Sequence, residues 1–165
     1  MGMGNMTIRN AAKAIILHDN KILLNQCFSP NLGEYYALPG GGQQPNESME
    51  QAVIRECREE TGYTVVPEAF AALYEEIYTQ ASIQKQHPNH AHRILHIFKC
   101  RIAEETPIAP TELDSWQRGS VWVALEGIAA IALRPAYIKA HLSALIASDT
   151  PVYLGSHFID YQAKA

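Results

Sequence analysis

The stretch GGQQPNESMEQAVIRECREETGY, residues 41–63, contains the signals for one complete helix. Ser48 and Gln51 have the spacing of a capping box, so we predict that the helix begins near Ser48. Gly62 suits the left-handed position just past a helix C-terminus, so the helix should end at Thr61. Four apolar residues at helical spacing are expected to form its buried stripe: Met49, Ala52, Val53 and Cys57.

The acidic residues of this helix fall on one face. Glu56, Glu59 and Glu60 lie three or four residues apart or side by side, so their side chains must crowd together. Like charges at helical spacing destabilise a helix by about 0.2–0.5 kcal/mol per pair, so a compensating charge is expected. A hard divalent cation can supply it, since Mg2+ prefers carboxylates, water and phosphate oxygens. The alternative is a solvated charged face.

A glycine run precedes the helix. Gly40, Gly41 and Gly42 are predicted to form a flexible loop, where the missing Cβ atoms let the backbone approach a metal or a phosphate. Glu47, at the end of this loop, has a partner of opposite charge in Arg55. Their ion pair would pin the loop against the helix. The alternative is that the glycines serve only as a turn.

The complete pattern resembles the Nudix box: Gly, five residues, Glu, seven residues, Arg-Glu, an apolar residue, any residue, Glu-Glu, any residue, Gly and an apolar residue. At residue frequencies of roughly 5–7%, a chance match has odds on the order of one in 10⁸ per start position. Cys57 stands where an aliphatic residue is usual, but a buried Cys behaves as a small apolar residue. Seven residues match the fixed identities: Gly41, Glu47, Arg55, Glu56, Glu59, Glu60 and Gly62.

The resemblance implies an α/β/α sandwich with a mixed sheet and a catalytic loop-helix-loop. It implies hydrolysis of a nucleoside diphosphate linked to a group X, with Mg2+ as cofactor and Mn2+ as an alternative. Glu47 and Arg55 are implied to be an orienting pair within the catalytic set, which Glu56, Glu59 and Glu60 complete. The implied metal ligands are the Gly40 carbonyl, Glu56, Glu59 and Glu60. The general base is left open between Glu56 and a carboxylate of a later loop, Glu112 or Asp114.

The rest of the chain reads as strands around two helices. Apolar runs at 8–18 and 21–28 flank Asp19-Asn20, a hairpin turn. Further strands are predicted at 35–38, 69–79, 92–102 and 120–125, and 152–158 should be a strand or a docked tail. A second helix after Arg134-Pro135 presents an apolar face of Ile138, Leu142, Leu145 and Ile146. The 165 residues are expected to form one domain, with 1–6 either disordered or an artificial extension.

Substrate contacts outside the box are harder to place. Tyr74, Glu76 and Tyr78 share one face of a strand and either line a substrate pocket or cap the sheet edge. His96 is a further candidate contact, and the spacing of the neighbouring histidines fits no zinc site. Thr79 occupies the position where relatives that cleave ADP-ribose often have Pro, so the substrate is not identified by that marker.

Composition restricts the partners. The net charge of −4 argues against a nucleic-acid polymer or an anionic membrane, because both reward clustered positive charge. Cys27, Cys57 and Cys100 form no CxxC pair, so a reducing cytoplasm is the expected setting. No apolar run approaches the roughly 20 residues of a membrane span. By analogy with relatives, a homodimer is a candidate assembly.

Three functions fit these observations. The first is hydrolysis of a small nucleotide-like substrate of the ADP-ribose, nucleotide-sugar or dinucleoside polyphosphate type. The second is a pyrophosphohydrolase that removes unwanted nucleoside triphosphates. The third is a nucleotide-sensing module that binds such a ligand without cleaving it.

Overall fold

The computed structural model describes residues 5–160; residues 1–4, most of the predicted N-terminal extension, and residues 161–165 lie outside it. Asn5 and Met6 are exposed and belong to no strand or helix. A 3-10 helix, Leu125–Ala130, follows the seventh strand. The strands and helices are β1 (Arg9–His18), β2 (Lys21–Ser29), β3 (Gly33–Ala37), β4 (Gly40–Gly42), α1 (Met49–Thr61), β5 (Val65–Tyr78), α2 (Ala81–Gln86), β6 (His92–Ile102), β7 (Gln117–Ala124), β8 (Leu133–Arg134), α3 (Ala136–Ala147) and β9 (Val152–Ile159).

The strands form one curled mixed sheet. Its order is β8-β3-β2-β1-β6-β5-β9, with β4 added beside β1 and β7 beside β2. The predicted hairpin between β1 and β2 is confirmed, and both Asp19 and Asn20 have the positive φ that a tight turn of this kind requires. The central strand β1 runs parallel to β6 and is buried on both faces, which explains its nearly continuous apolar sequence.

The predicted boundaries of α1 are confirmed. The Ser48 hydroxyl accepts a hydrogen bond from the Gln51 N–H, and the Gln51 side chain accepts one from the Ser48 N–H. At the other end Gly62 has φ 77°, and its N–H donates to the Arg58 carbonyl. Ala52, Val53 and Cys57 are buried in a cluster with one face of β1. The helix is therefore fixed by its caps and by its apolar stripe.

The predicted second helix is α3, which covers the opposite face of the sheet. Ile138, Leu142 and Leu145 are buried against Ile15 of β1 and its neighbours, and Ile146 packs beside them partly buried. With α1 on one face and α3 on the other, the sandwich predicted from the sequence is confirmed.

Two expectations are changed by the structure. The flexible loop predicted at Gly40, Gly41 and Gly42 is wrong, because these residues form β4 in register with Ala11–Lys13 and so satisfy their backbone groups. The segment 152–158, left open as strand or tail, is the strand β9 beside β5. The sequence also missed α2, none of whose residues is buried, because it has no apolar stripe to detect.

Within residues 5–160, no helix is long and apolar enough to cross a membrane.

The end of α1 provides a stability test. A Cβ on Gly62 would lie 1.8 Å from the Ile108 carbonyl oxygen, and the residue has positive φ. Gly33 also has positive φ but no neighbour within 4 Å, and Gly119 has neither constraint. Gly33→Ala should lower the free energy of unfolding by about 1–2 kcal/mol, the cost of left-handed backbone. Gly62→Ala should lower it further because of the clash, and Gly119→Ala should have little effect.

Urea unfolding of the three variants measures this order. Equal losses for Gly62→Ala and Gly33→Ala would show that the Ile108 carbonyl moves aside at no cost.

Candidate active site

One guanidinium connects the loop before α1 to the acidic face of the helix. Arg55 donates from Nη2 to Glu47 Oε1 at 2.7 Å and to the Gly42 carbonyl at 2.9 Å. Its Nη1 donates to Glu56 Oε1 at 2.7 Å and to Glu59 Oε2 at 3.1 Å. The expected ion pair of Glu47 with Arg55 is thus present. The same guanidinium also contacts two of the predicted metal ligands.

These contacts act on the carboxyl groups differently. The hydrogen bonds from Arg55 lower the pKa of Glu47. For Glu56, burial raises the pKa, and Arg55 only partly opposes this. Arg55 itself has a raised pKa because its hydrogen bond to Glu47 favours the charged form. The orienting pair is therefore fully charged, whereas Glu56 lies where its charge is less well supported.

Glu60 is the most enclosed carboxylate of the helix, with 3% of its surface exposed. Its Oε2 accepts hydrogen bonds from the Gly40 N–H at 2.9 Å and from Asn25 Nδ2 at 2.7 Å. Burial raises the pKa of Glu60 to about 7, against the opposing effect of Lys13. Glu60 therefore ties α1 to β4 and β2 and titrates near neutral pH.

The glycines of β4 let the backbone run against these carboxylates. A Cβ on Gly41 would lie 2.6 Å from the Glu56 carboxylate, so only glycine fits there without displacing that side chain. The Gly40 carbonyl, a predicted metal ligand, accepts a hydrogen bond from the Lys13 ammonium group. Close approach, rather than flexibility, is the reason for glycine at this position.

All four predicted metal ligands border one cleft of about 220 Å³. Their donor atoms are carboxylate and carbonyl oxygens, which suit a hard divalent cation. In the described residues, 5–160, no three His, Cys, Asp or Glu side chains converge closely enough to form a ready metal cage. Arg55 and Lys13 supply the positive charge to these oxygens in the structure. The chemistry of the residues fits the cation, and their contacts would have to rearrange around it.

The loop that precedes β7 forms one side of the cleft. The N–H groups of Thr111 and Glu112 donate to the Glu59 carbonyl at 2.9 and 3.0 Å, and Gln117 Nε2 donates to the Glu60 carbonyl at 3.1 Å. These bonds satisfy carbonyls that the end of a helix leaves without partners. They also bring Glu112 and Asp114 to the cleft, where Glu56 lies. The choice of general base among these three stays a prediction.

A larger cavity of about 810 Å³ adjoins the cleft. Its walls come mainly from β3, β5, β6, α3 and β9, with further residues from β1, β2 and the loop before β7, and they include several aromatic rings. Tyr74 and Tyr137 stack there with centroids 5.6 Å apart and an interplanar angle of 10°. Four residues border both the cleft and the cavity: Lys13, His90, Arg93 and Asp114.

The predicted substrate residues divide between the two faces of the sheet. Tyr74, Glu76 and Tyr78 border the larger cavity, with Tyr74 and Glu76 buried. His96 borders neither space: its ring lies 6.4 Å from that of Phe70, on the α1 side of the sheet. A role for His96 in substrate contact has no support from this placement.

Sequence reasoning missed three polar residues of the site. Lys13 interrupts an apolar run of β1, Asn25 follows an apolar run of β2, and Arg93 lies at the start of β6; each borders the cleft or the cavity. For Lys13 a lone polar residue in a buried strand was the available signal, because burial of such a group is costly unless it is paired. Asn25 and Arg93 stand beside other polar residues, Gln26 and His92, so they carried no such signal. Their partners on other strands could not be read from one sequence.

The chain was compared with known proteins. A family model described as the NUDIX domain matches residues 7–142. The ADP-ribose pyrophosphatase of Methanocaldococcus jannaschii is 39% identical over 64 residues, 39% of this chain and 38% of that protein. A NUDIX hydrolase structure from Nitrosomonas europaea aligns over 88% of this chain and 93% of that chain, with TM-score 0.69 and 23% identity. A MutT protein structure from Bacillus halodurans aligns over 94% and 93%, with TM-score 0.67 and 17% identity. At these identities the two structures establish the fold alone.

The burial of Glu60 predicts how stability depends on pH. Its pKa lies at 4.5 in the unfolded chain and about 7 in the folded chain, so the folded chain binds more protons between these values. Stability from this group is complete below pH 4.5 and is lost as the pH rises to about 7. Glu60→Gln removes the titration. With chelator present, the free energy of unfolding of the variant minus that of the wild type should rise by about 2 kcal/mol as the pH is raised from 5 to 8.

Denaturant unfolding at both pH values measures this difference. Parallel pH dependence in the wild type and the variant would mean that Glu60 is ionised throughout.

Proposed function

The chain belongs to the Nudix family, and we propose that it cleaves the pyrophosphate linkage of a nucleoside diphosphate joined to a second group, with the help of a divalent cation. The observation that carries the proposal is that the three carboxylates Glu56, Glu59 and Glu60 line one small polar cleft, which shares lining residues with a larger cavity rich in aromatic side chains. The cleft suits a diphosphate and the cavity suits the attached groups.

The cation is proposed to be Mg2+, with Mn2+ as the alternative. The Gly40 carbonyl, Glu56, Glu59 and Glu60 would hold it, since these oxygens border the cleft together. When bound, such a cation polarises phosphoryl oxygens and lowers the pKa of a coordinated water. Arg55 would keep Glu47 and the β4 backbone in place while its bonds to Glu56 and Glu59 are exchanged for the cation.

The proton of the attacking water needs an acceptor. Glu56, Glu112 and Asp114 all border the cleft and are proposed as the alternatives. Glu112 and Asp114 belong to the loop that binds the end of α1, so their distance from the helix is set by the backbone hydrogen bonds of Thr111 and Glu112 and by the bond from the Gln117 side chain.

The size of the cavity supports a substrate with groups on both sides of the diphosphate. Ligand pockets typically measure about 300–1,000 Å³, and 810 Å³ lies in the upper part of this range. The relative named ADP-ribose pyrophosphatase supports the same class. ADP-ribose, nucleotide sugars and dinucleoside polyphosphates are the proposed candidates. Cytoplasmic location and dimer formation stay predictions.

A substrate panel tests this proposal. ADP-ribose, nucleotide sugars, dinucleoside polyphosphates and nucleoside triphosphates are each incubated with Mg2+ or Mn2+, and release of nucleoside monophosphate is measured. Turnover of the first three classes supports the proposal, and turnover restricted to triphosphates favours the sanitising alternative. Thermal stabilisation by a ligand without any turnover would indicate the sensing alternative.

The role of the cation predicts complete dependence of turnover on it. Excess chelator should abolish monophosphate release, and added Mg2+ or Mn2+ should restore it, because the carboxylates cannot by themselves neutralise a diphosphate. Calorimetric titration of the cation, with and without nucleotide, measures its binding directly. Undiminished turnover in chelator would contradict the proposed mechanism.

Glu60→Gln should reduce turnover by at least about 100-fold while the fold persists, because a neutral amide replaces a charged metal ligand. Glu50→Gln is the matched control, since Glu50 is exposed on the same helix and lies outside the cleft. Steady-state kinetics and circular dichroism of both variants provide the test. Near-normal turnover in Glu60→Gln would refute the assigned role of Glu60.

A further inference from the structure

Arg93 lies where the cleft meets the cavity. It is on β6 and borders both spaces. Arg9 of β1 is its direct neighbour in the parallel register, and Lys13 lies on the same face of β1. Arg9 and Lys13 also border the cleft. The sheet therefore lines the cleft with basic side chains, whereas α1 contributes mainly carboxylates.

Glu76 holds Arg93 in this position. The two residues are opposite each other in the β5–β6 register, and Arg93 Nη2 donates a hydrogen bond to Glu76 Oε1. Glu76 is 1% exposed. The Tyr78 side chain also interacts with Arg93 and favours its charged form. All three residues border the cavity, so the strand face predicted from Tyr74, Glu76 and Tyr78 supports an arginine that the sequence did not reveal.

An ion pair at this position stabilises the fold less than apolar packing would. Glu76 loses its hydration on burial, and Arg93, whose side chain is 28% exposed, loses part of its own. Apolar residues of similar volume are often neutral or stabilising in place of such a pair. Burial opposes the charged form of Arg93, but the Glu76 carboxylate outweighs it and raises the pKa of Arg93 above its ordinary value. Arg93 therefore stays charged at the junction, with the Glu76 carboxylate as its counter-charge. Packing alone does not account for it.

Two features of Arg93 are unfavourable despite its pairing with Glu76. Arg93 Nε is buried and has no hydrogen-bond partner among the described residues. A buried donor without an acceptor is unfavourable, and it calls for an explanation such as a missing ligand. Arg9 and Arg93 are also like charges on directly paired positions, an arrangement that destabilises a sheet. An anionic oxygen at the junction would compensate both.

We propose that Arg93, positioned by Glu76 and Tyr78, binds a phosphate oxygen of the substrate where the diphosphate leaves the cleft and the attached group enters the cavity. The inference rests on the proposed function, because it requires a substrate with a diphosphate. Arginine suits this place since its planar guanidinium offers several donors to phosphate oxygens. Arg93 is then a substrate-binding residue, and Glu76 is a positioning residue.

The experiment measures binding separately from turnover. The probe is α,β-methylene ADP, a diphosphate that the enzyme cannot cleave at the bridging position, titrated by calorimetry in the presence of Mg2+. Arg93→Gln should weaken its binding by about 10- to 100-fold, the effect of losing hydrogen bonds to a charged group. In turnover assays with a substrate found by the panel, KM should rise much more than kcat falls. Arg101→Gln is the control, because Arg101 is on the same strand but 55% exposed and paired with Glu68.

A second variant addresses folding. Arg93→Gln leaves the Glu76 carboxylate buried without its partner, which by itself can unfold the chain. Arg93→Gln combined with Glu76→Gln removes both charges and keeps two groups that can hydrogen-bond. This double variant should fold, as judged by circular dichroism and thermal unfolding, and should bind the probe as weakly as Arg93→Gln. Arg93→Lys, which keeps the charge but not the fork, should show an intermediate loss.

The outcomes separate the two proposals. A folded double variant that binds the probe as tightly as the wild type would overturn the inference and leave the pair a structural one, with the proposed function intact. A wild type that neither binds the probe nor turns over any substrate would overturn both. Crystals of the wild type with the probe give a test independent of variants: a phosphate oxygen within hydrogen-bond distance of the Arg93 guanidinium is expected, and phosphates bound away from Arg93 would contradict the proposal.

Discussion

The mutual repulsion of carboxylates on α1 is the constraint around which the site is built. Glu56, Glu59 and Glu60 share a helix face, and in isolation their charges would weaken the helix. Arg55 contacts the first two directly, and Glu60 turns toward the Gly40 N–H and Asn25. The repulsion is thus relieved by one guanidinium and by two hydrogen-bond donors on other strands. The contacts of Glu60, together with the bond from Arg55 to the Gly42 carbonyl, also fix the positions of β4 and β2 relative to the helix.

The helix and strands of the site are therefore held in place by contacts of charged groups. Glu60 is buried far enough that its pKa reaches about 7, so its ionised form is maintained at a cost to the fold. A hydrophobic residue at this position would pack without that cost. Residues that lower stability yet occupy a cleft are typical of functional sites, where the requirement for a charged group outweighs the stability of the fold. The caps of α1 and the apolar contacts of Val53 and Cys57 provide the compensating stability.

The sequence was sufficient for features set by local spacing and insufficient for those set by strand register. A few neighbouring residues are enough to predict the two ends of α1, at Ser48 and Gly62. The same holds for the β1–β2 hairpin and for the apolar face of α3. The pairing of β4 with β1 could not be read from three glycines, since glycine carries no periodicity. In the same way the ion pair between Glu76 and Arg93 depends on the β5–β6 register, which includes two irregularities.

The two spaces of the site come from different parts of the chain, and this division affects how specificity can arise. The cleft is formed mainly by β1, β4, α1 and the loop before β7, which include the residues of the Nudix box. The larger cavity is formed mainly by β3, β5, β6, α3 and β9, whose sequences lie outside the box, and it shares four lining residues with the cleft. Under the proposed function, the group joined to the diphosphate would therefore be selected by residues that do not hold the cation. Arg93 of β6 is paired with Glu76 of β5 and borders both spaces, so under the same proposal a change in the cavity wall at Glu76 would alter the placement of the diphosphate.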